Sequence, residues 1–177
     1  LAKGTRPHKH GLVQGHKYTA PGTHLCMDLI GPMDVETSGG TSKHSVMVAF
    51  DPSTHFVYFI PVDSKSAPEV ASAYVEQVLL EQGACDSILT DNGTEFRNKT
   101  LRDIMKVLAT EHQFTPAYHA RGNMAERVNR WLGDTLRTIF AHKDMRKADW
   151  PKIIKFLEFV YRNTPIVGTN ITPFEAM

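Results

Sequence analysis

The chain has 177 residues, 20 Lys and Arg against 19 Asp and Glu, 41% apolar residues and two cysteines. That length suits one domain able to bury a core unaided, and Cys26 and Cys85, far apart and without paired spacing, exclude a disulfide framework or a thiolate zinc site. No apolar run reaches membrane-spanning length and the basic N-terminus has no apolar signal core, so we expect a soluble protein of a reducing, intracellular setting.

The formal net charge of +1 conceals a segregation. Residues 1–23 carry four basic and no acidic side chains, residues 24–96 two basic and eleven acidic, and residues 97–147 eleven basic and five acidic. Such a division fits a polyanion held along the basic part, near acids that need cations to tolerate it. It fits equally well helices that carry Lys and Arg on their solvated faces.

In chain order, residues 1–22 read as an arm or linker, with Pro7, Pro21 and the basic residues Lys3, Arg6, Lys9 and Lys17. His8 and His10 have no cysteine or acid near them to complete a metal site. Residues 23–30 predict an apolar strand closed by Gly31-Pro32, with Asp28 embedded in it. A carboxylate inside a buried strand is costly unless paired or metal-bound, although period-two alternation would also let Asp28 face solvent while Met27 and Leu29 face inward.

Ser38-Gly39-Gly40 predicts a turn. Residues 45–50 and 55–62, joined by Asp51-Pro52-Ser53-Thr54, predict a hairpin that completes a three-stranded meander. The spacing of Val70, Tyr74, Val78 and Leu79 predicts a helix over 67–82, with Pro68 in its first turn and Gly83 ending it. The crossover makes the next strand, Ile88-Leu89-Thr90, parallel to one of the earlier three. That strand runs straight into Asp91 and then Asn92-Gly93, a dipeptide suited to positive φ. A carboxylate there is fixed by the strand and left open by the turn, as a metal ligand needs to be; read alone, it is more simply an Asp opening an Asn-Gly turn.

Asn98 is placed to cap a helix over 99–110, with Leu101, Ile104, Met105 and Leu108 on its apolar face. Residues 112–115 predict a last strand, 116–123 a loop, and about 124–142 a long amphipathic helix. In that helix Val128, Leu132, Leu136 and Ile139 form the core stripe, and Glu126 lies opposite it on one line with Arg130 and Arg137. Glu126 and Arg130 also have the spacing of an ordinary surface pair. A helix over 151–162, with Ile154, Leu157 and Tyr161 on its stripe, precedes the closing segment.

Each acid is ambiguous alone, but strand-borne Asp28, strand-end Asp91 and helix-borne Glu126 together have the order and supports of a two-metal phosphoryl-transfer site. Oxygen ligands of this kind suit Mg2+ or Mn2+, with two ions in the active state.

Asp28-Leu29-Ile30-Gly31-Pro32 resembles the first-acid strand of the catalytic core of retroviral and retrotransposon integrases. Leu89-Thr90-Asp91-Asn92-Gly93-Thr94-Glu95-Phe96 resembles the second-acid signature, and Thr115-Pro116-Ala117-Tyr118-His119 with Ala125-Glu126-Arg127-Val128-Asn129-Arg130 the third. Tyr161-Arg162-Asn163-Thr164-Pro165 and Thr172-Pro173-Phe174-Glu175 resemble the gypsy-type retrotransposon and spumavirus branches. The resemblance covers about residues 20–177. It implies an α/β, ribonuclease H-like fold with a mixed five-stranded sheet flanked by helices, residues 1–22 being a basic arm and 23–177 the catalytic core.

The resemblance further implies catalytic and metal-ligating roles for Asp28, Asp91 and Glu126, in 3′-end processing and strand transfer of element DNA into target DNA. Expected partners are those DNAs, further copies of the chain (at least a dimer), and a chromatin or host factor. The expected location is the nucleus, or a virus-like particle in the cytoplasm before integration. Arg121, Arg127 and Arg130 are the candidate phosphate contacts, with His119 and Asn92 beside them. The same three acids would serve a transposase or a ribonuclease H-like nuclease, and a host-adopted remnant would keep only DNA binding or oligomerisation. The chain departs from the family pattern by one residue fewer between the second and third acids, by Asn123-Met124 where the family tends to read Asn-Gly, and by Ala120-Arg121 where Pro-Gln often follows the Tyr-His pair. It resembles an isolated core with part of the preceding linker.

Overall fold

In a computed structural model, residues 20–37, 40–115, 125–141 and 150–177 are described. Most of the predicted arm, the Ser38-Gly39 turn and the loop over 116–123 lie outside them. Strands β1 (His24–Thr37), β2 (Gly40–Phe50), β3 (Val57–Val62), β4 (Ser87–Thr90) and β5 (Glu111–Phe114) form one sheet in the order β3-β2-β1-β4-β5. The first three are antiparallel, as tight connections require, while β4 joins β1 in parallel after a helical crossover and β5 joins β4 in parallel. β1 is therefore the centre of the sheet.

Several predicted boundaries are corrected, among them the start of β2, which lies at Gly40 instead of residue 45 because it pairs with the continued β1. Gly31-Pro32 does not close β1: the strand runs on to Thr37 through a register shift between Ile30 and Met33. Gly31 takes φ 111° there, and a Cβ on it would lie 3.0 Å from the His44 carbonyl oxygen, so the irregularity depends on glycine. β3 begins at Val57 rather than residue 55, because His55 takes φ 61° in a hairpin loop knotted around Asp51. The Asp51 carboxylate accepts hydrogen bonds from the Ser53 amide at 2.7 Å, the Thr54 hydroxyl at 3.0 Å and the Gly22 amide at 2.8 Å. β5 starts one residue before its predicted position.

Helix α1 (Ala67–Tyr74) passes through a π-helical segment, Val75–Leu79, into the short α2 (Leu80–Gln82), so the predicted single helix is interrupted. Asn98 caps α3 (Lys99–Val107), accepting from the Leu101 amide at 2.8 Å. This helix stops short of residue 110, with Ala109 at φ 54°. Helices α4 (Ala125–Ala141), α5 (Trp150–Arg162) and α6 (Pro173–Ala176) follow, the last closed by a Thr172–Glu175 capping box.

Alternation along the strands sends side chains to two cores. Leu25, Met27, Met47, Tyr58 and Ile88 pack with Val70, Tyr74 and Leu101 on the α1 and α3 side. Cys26, Val46, Val48 and Phe59 pack with Val128, Leu132, Leu136, Ile154 and Leu157 on the α4 and α5 side. Each fully buried Val or Leu side chain contributes about 1.5–3 kcal/mol.

The exposed backbone of edge strand β3 is satisfied by α5. The Phe59 amide donates to Glu158 Oε2 at 2.6 Å, and Arg162 Nε donates to the Val57 carbonyl at 2.7 Å. The Arg162 guanidinium lies 4.0 Å from the Phe56 ring centroid and 4.7 Å from that of Tyr58, and it pairs with Glu158 at 3.3 Å and with Glu81 at 3.5 Å. Glu158 is only 7% exposed, so removing it leaves the Phe59 amide without its acceptor and the half-buried Arg162 with Glu81 alone. Glu158→Ala should lower unfolding free energy by about 3–5 kcal/mol in urea titration. A loss below about 1 kcal/mol would show that the strap is dispensable.

Candidate active site

Asp28 follows Cys26 by two residues and so shares its face, the one covered by α4. In the parallel pairing Cys26 stands opposite Leu89, and two residues further along both chains are Asp28 and Asp91, just past the last paired position. Neighbouring strands lie about 4.8 Å apart, so this register carries the two carboxyl-bearing residues towards each other, near enough for Asp28 to feel the charge of Asp91.

Asp28 is half-buried. Its Oδ1 accepts from the Leu29 amide at 2.8 Å and its Oδ2 from Asn129 Nδ2 at 2.6 Å. Burial pushes the Asp28 carboxyl above its ordinary pKa of 3.8 and the charge of Asp91 adds to the rise, while the Leu29 amide, Asn129 and Lys65 oppose it. Asp91 is exposed, with its Oδ1 accepting from the Gly93 amide at 2.9 Å. The Asn92-Gly93 turn is thus closed by the aspartate itself, and neither residue has the positive φ that the dipeptide suggested.

Glu126 lies in the first turn of α4, exposed, and accepts from Arg130 Nη2 at 3.1 Å. Among the described residues no three His, Cys, Asp or Glu side chains gather closely enough to hold a metal ion. The structure therefore brings Asp28 and Asp91 together and leaves Glu126 in its surface pair. Asn129, which links α4 to Asp28, was not singled out by sequence reasoning. The available signal was its position three residues after Glu126, on the neighbouring part of the same helix face.

Among the other candidates, Asn92 donates from Nδ2 to the Thr115 carbonyl at 2.7 Å, tying the end of β4 to the end of β5. Arg130 is the partner of Glu126. Arg127 stands about 100° further round α4 and lines a cavity near the β2–β3 hairpin. His119 and Arg121 lie outside the described residues.

Because the folded pKa of Asp28 is raised, the fold binds its proton more tightly than the unfolded chain, and stability falls as pH rises from about 3.8 through the folded value. Asn129 limits that rise, so Asn129→Ala should cost about 1.5 kcal/mol at pH 7 and progressively less as Asp28 becomes protonated. Thermal unfolding of both proteins between pH 3 and pH 7 checks this; a loss independent of pH would mean that Asn129 acts by packing alone.

The family model for the integrase core domain matches residues 18–120. The retrovirus-related Pol polyprotein from transposon 412 of Drosophila melanogaster is 28% identical over 152 residues, 85% of this chain and 12% of that protein. The Pol polyprotein of Radiation murine leukemia virus (strain Kaplan) is 26% identical over 168 residues, 93% of this chain and 27% of that protein. The chain thus spans a minor part of both relatives. Two solved structures are similar in fold. One, a simian T-cell lymphotropic virus intasome in complex with PP2A regulatory subunit B56 gamma, aligns with a TM-score of 0.74 at 16% identity, covering 88% of this chain and 54% of that one. The other, the HTLV-2 integrase catalytic core domain in complex with magnesium in a trimeric form, gives 0.68 at 15%, covering 89% and 97%. The mixed five-stranded sheet with its flanking helices is accordingly a ribonuclease H-like fold.

Proposed function

This chain belongs to the integrase core domain family, and from that premise we propose that it is the catalytic core of a divalent-metal-dependent polynucleotidyl transferase. Its reaction is the trimming of element DNA at the 3′ ends and the joining of those ends to target DNA. The observation that carries this reading is the Asp28–Asp91 pair: two carboxyl groups brought near each other by the β1–β4 register, one of them half-buried and disfavoured as an anion first by that burial and then by the charge of the other. Such a donor set fits a hard dication, which would relieve the repulsion that the fold itself does not.

Asp28, Asp91 and Glu126 would hold two Mg2+ or Mn2+ ions, whose chemistry is to activate water or a DNA 3′-hydroxyl and to stabilise the departing oxygen. The protein's part is orientation. The Leu29 amide and Asn129 fix both oxygens of Asp28, and the Gly93 amide fixes one of Asp91. Glu126 must leave Arg130 to join them, and an exposed i,i+4 pair of this kind holds by only about 0.3–0.5 kcal/mol. The exchange frees Arg130 for a phosphate, which Arg121, His119 and Asn92 would help to position without reading base sequence.

The same reading makes the protein a homo-oligomer on element and target DNA, aided by a chromatin or host factor, in the nucleus or, before integration, in a cytoplasmic virus-like particle. The trimer and magnesium of the HTLV-2 core and the PP2A subunit of the simian intasome belong to those proteins and lend the reading support.

Calorimetric titration of Mg2+ and Mn2+ into the chain and into Asp91→Asn, followed by strand-joining assays on DNA ends, tests the proposal. Metal binding should disappear and joining fall below detection in the variant, with its circular dichroism unchanged. Joining that survives Asp91→Asn would sink the catalytic assignment, and metal-independent DNA binding alone would leave a host-adopted binding module.

A further inference from the structure

A cavity of about 460 Å³ lies between the end of β2, α4 and the chain that follows α5. Its walls are apolar and aromatic, formed by Phe50, Val128, Trp131, Tyr161 and Pro173. The rings are braced from behind: Trp131 stacks on Phe59 with centroids 6.3 Å apart and meets Tyr161 edge-on at 5.0 Å. The cavity is therefore preformed, and its size falls within the range of about 300–1,000 Å³ usual for ligand sites. Apolar surface continues outward from it. Val167, on its wall, is 99% exposed, and in the same tail Ile171 and Phe174 are more than half exposed.

Among the described residues that line the cavity, the charged side chain is that of Arg127. Arg127 is exposed, and among the described residues no carboxylate pairs with it. His55 also lines the wall; burial holds its imidazole below the ordinary range against the pull of Asp51, and the charge of Arg127 lowers it further. Asp51 beneath is committed to the hairpin loop and Gly22. What enters would thus meet one fixed cation above a deep apolar wall.

We propose that this cavity docks a short peptide segment of a partner protein, in which a large apolar side chain enters between Phe50, Trp131 and Tyr161 and a nearby carboxylate meets Arg127. A nucleic acid backbone fits less well, because it needs several cations along its path and would press phosphates against Val167 and Phe174. The chain's own first 23 residues, with four basic and no acidic side chains, have the wrong sign for Arg127. The inference stands apart from the acid site and does not depend on catalysis.

Randomised seven-residue peptides displayed on phage and selected on the whole 177-residue chain, with counter-selection on Arg127→Glu, provide the test. Selection should enrich sequences with Trp, Phe or Leu within two positions of Asp or Glu. A synthetic copy of the leading peptide should move the Trp131 indole signal in NMR while leaving that of buried Trp150 in place, and its Kd should weaken roughly tenfold in Arg127→Gln and in Val167→Asp. Both positions are exposed, and unchanged thermal midpoints will verify that the variants fold. Absence of enrichment, enrichment of neutral or basic sequences, or equal retention by the variants overturns the proposal. So does a twelve-nucleotide DNA strand that displaces the peptide, which assigns the cavity to nucleic acid. A change in sedimentation on Arg127→Glu would overturn it in favour of self-association.

Discussion

The half-buried carboxylate of Asp28, with the charge of Asp91 near it, is the constraint around which this end of the sheet is arranged. Two acids near each other stay so only if the strands that lead to them are held in place. β1 is locked on one side by ten paired positions with β2 and on the other by its parallel pairing with β4. Asp28 keeps two hydrogen-bond donors, while Asp91 sits where β4 ends and water is admitted. The electrostatic cost is thereby confined to one place and held by the most firmly anchored part of the fold.

Much of this was legible in the sequence, because it rests on short periods. Alternation by two in residues 23–30 placed Asp28 among strand residues, the apolar run before Asp91 placed the second acid at a strand end, and the 3.6-residue stripe put Glu126 opposite the core. What the sequence did not disclose depends on contacts between distant residues or on local irregularity. β1 continues through Gly31-Pro32 because β2 pairs again from His44 onward, a fact about the partner rather than the dipeptide. The π-helical turn at Val75–Leu79 leaves the apolar spacing nearly intact and so has no periodic signature. Glu158, ninety-nine residues from the Phe59 amide it accepts from, reads as an unremarkable charge on an amphipathic helix until the fold closes.

Helix α4 does three jobs with three sides. Val128, Leu132 and Leu136 face the sheet, Asn129 reaches Asp28 with Glu126 and Arg130 alongside, and Arg127 and Trp131 border the cavity. These functions lie only one or two residues apart in sequence, so substitutions at neighbouring positions should have effects of quite different kinds. The same closeness explains why Arg127 and Arg130, three residues apart, have different surroundings, one at the cavity and the other on Glu126.

The strap from α5 over β3 bears on how copies of this protein can meet. An open edge strand invites another strand to add to it, the route by which sheets grow into fibres or exchange segments. Here the outward amide of Phe59 and carbonyl of Val57 are already taken by Glu158 and Arg162, so an incoming strand would have to displace two charged side chains that also hold the helical layers together. At the opposite edge β5 offers only four residues. Any meeting of copies would thus be directed away from strand addition and onto side-chain surfaces, where contacts close on themselves instead of growing without limit.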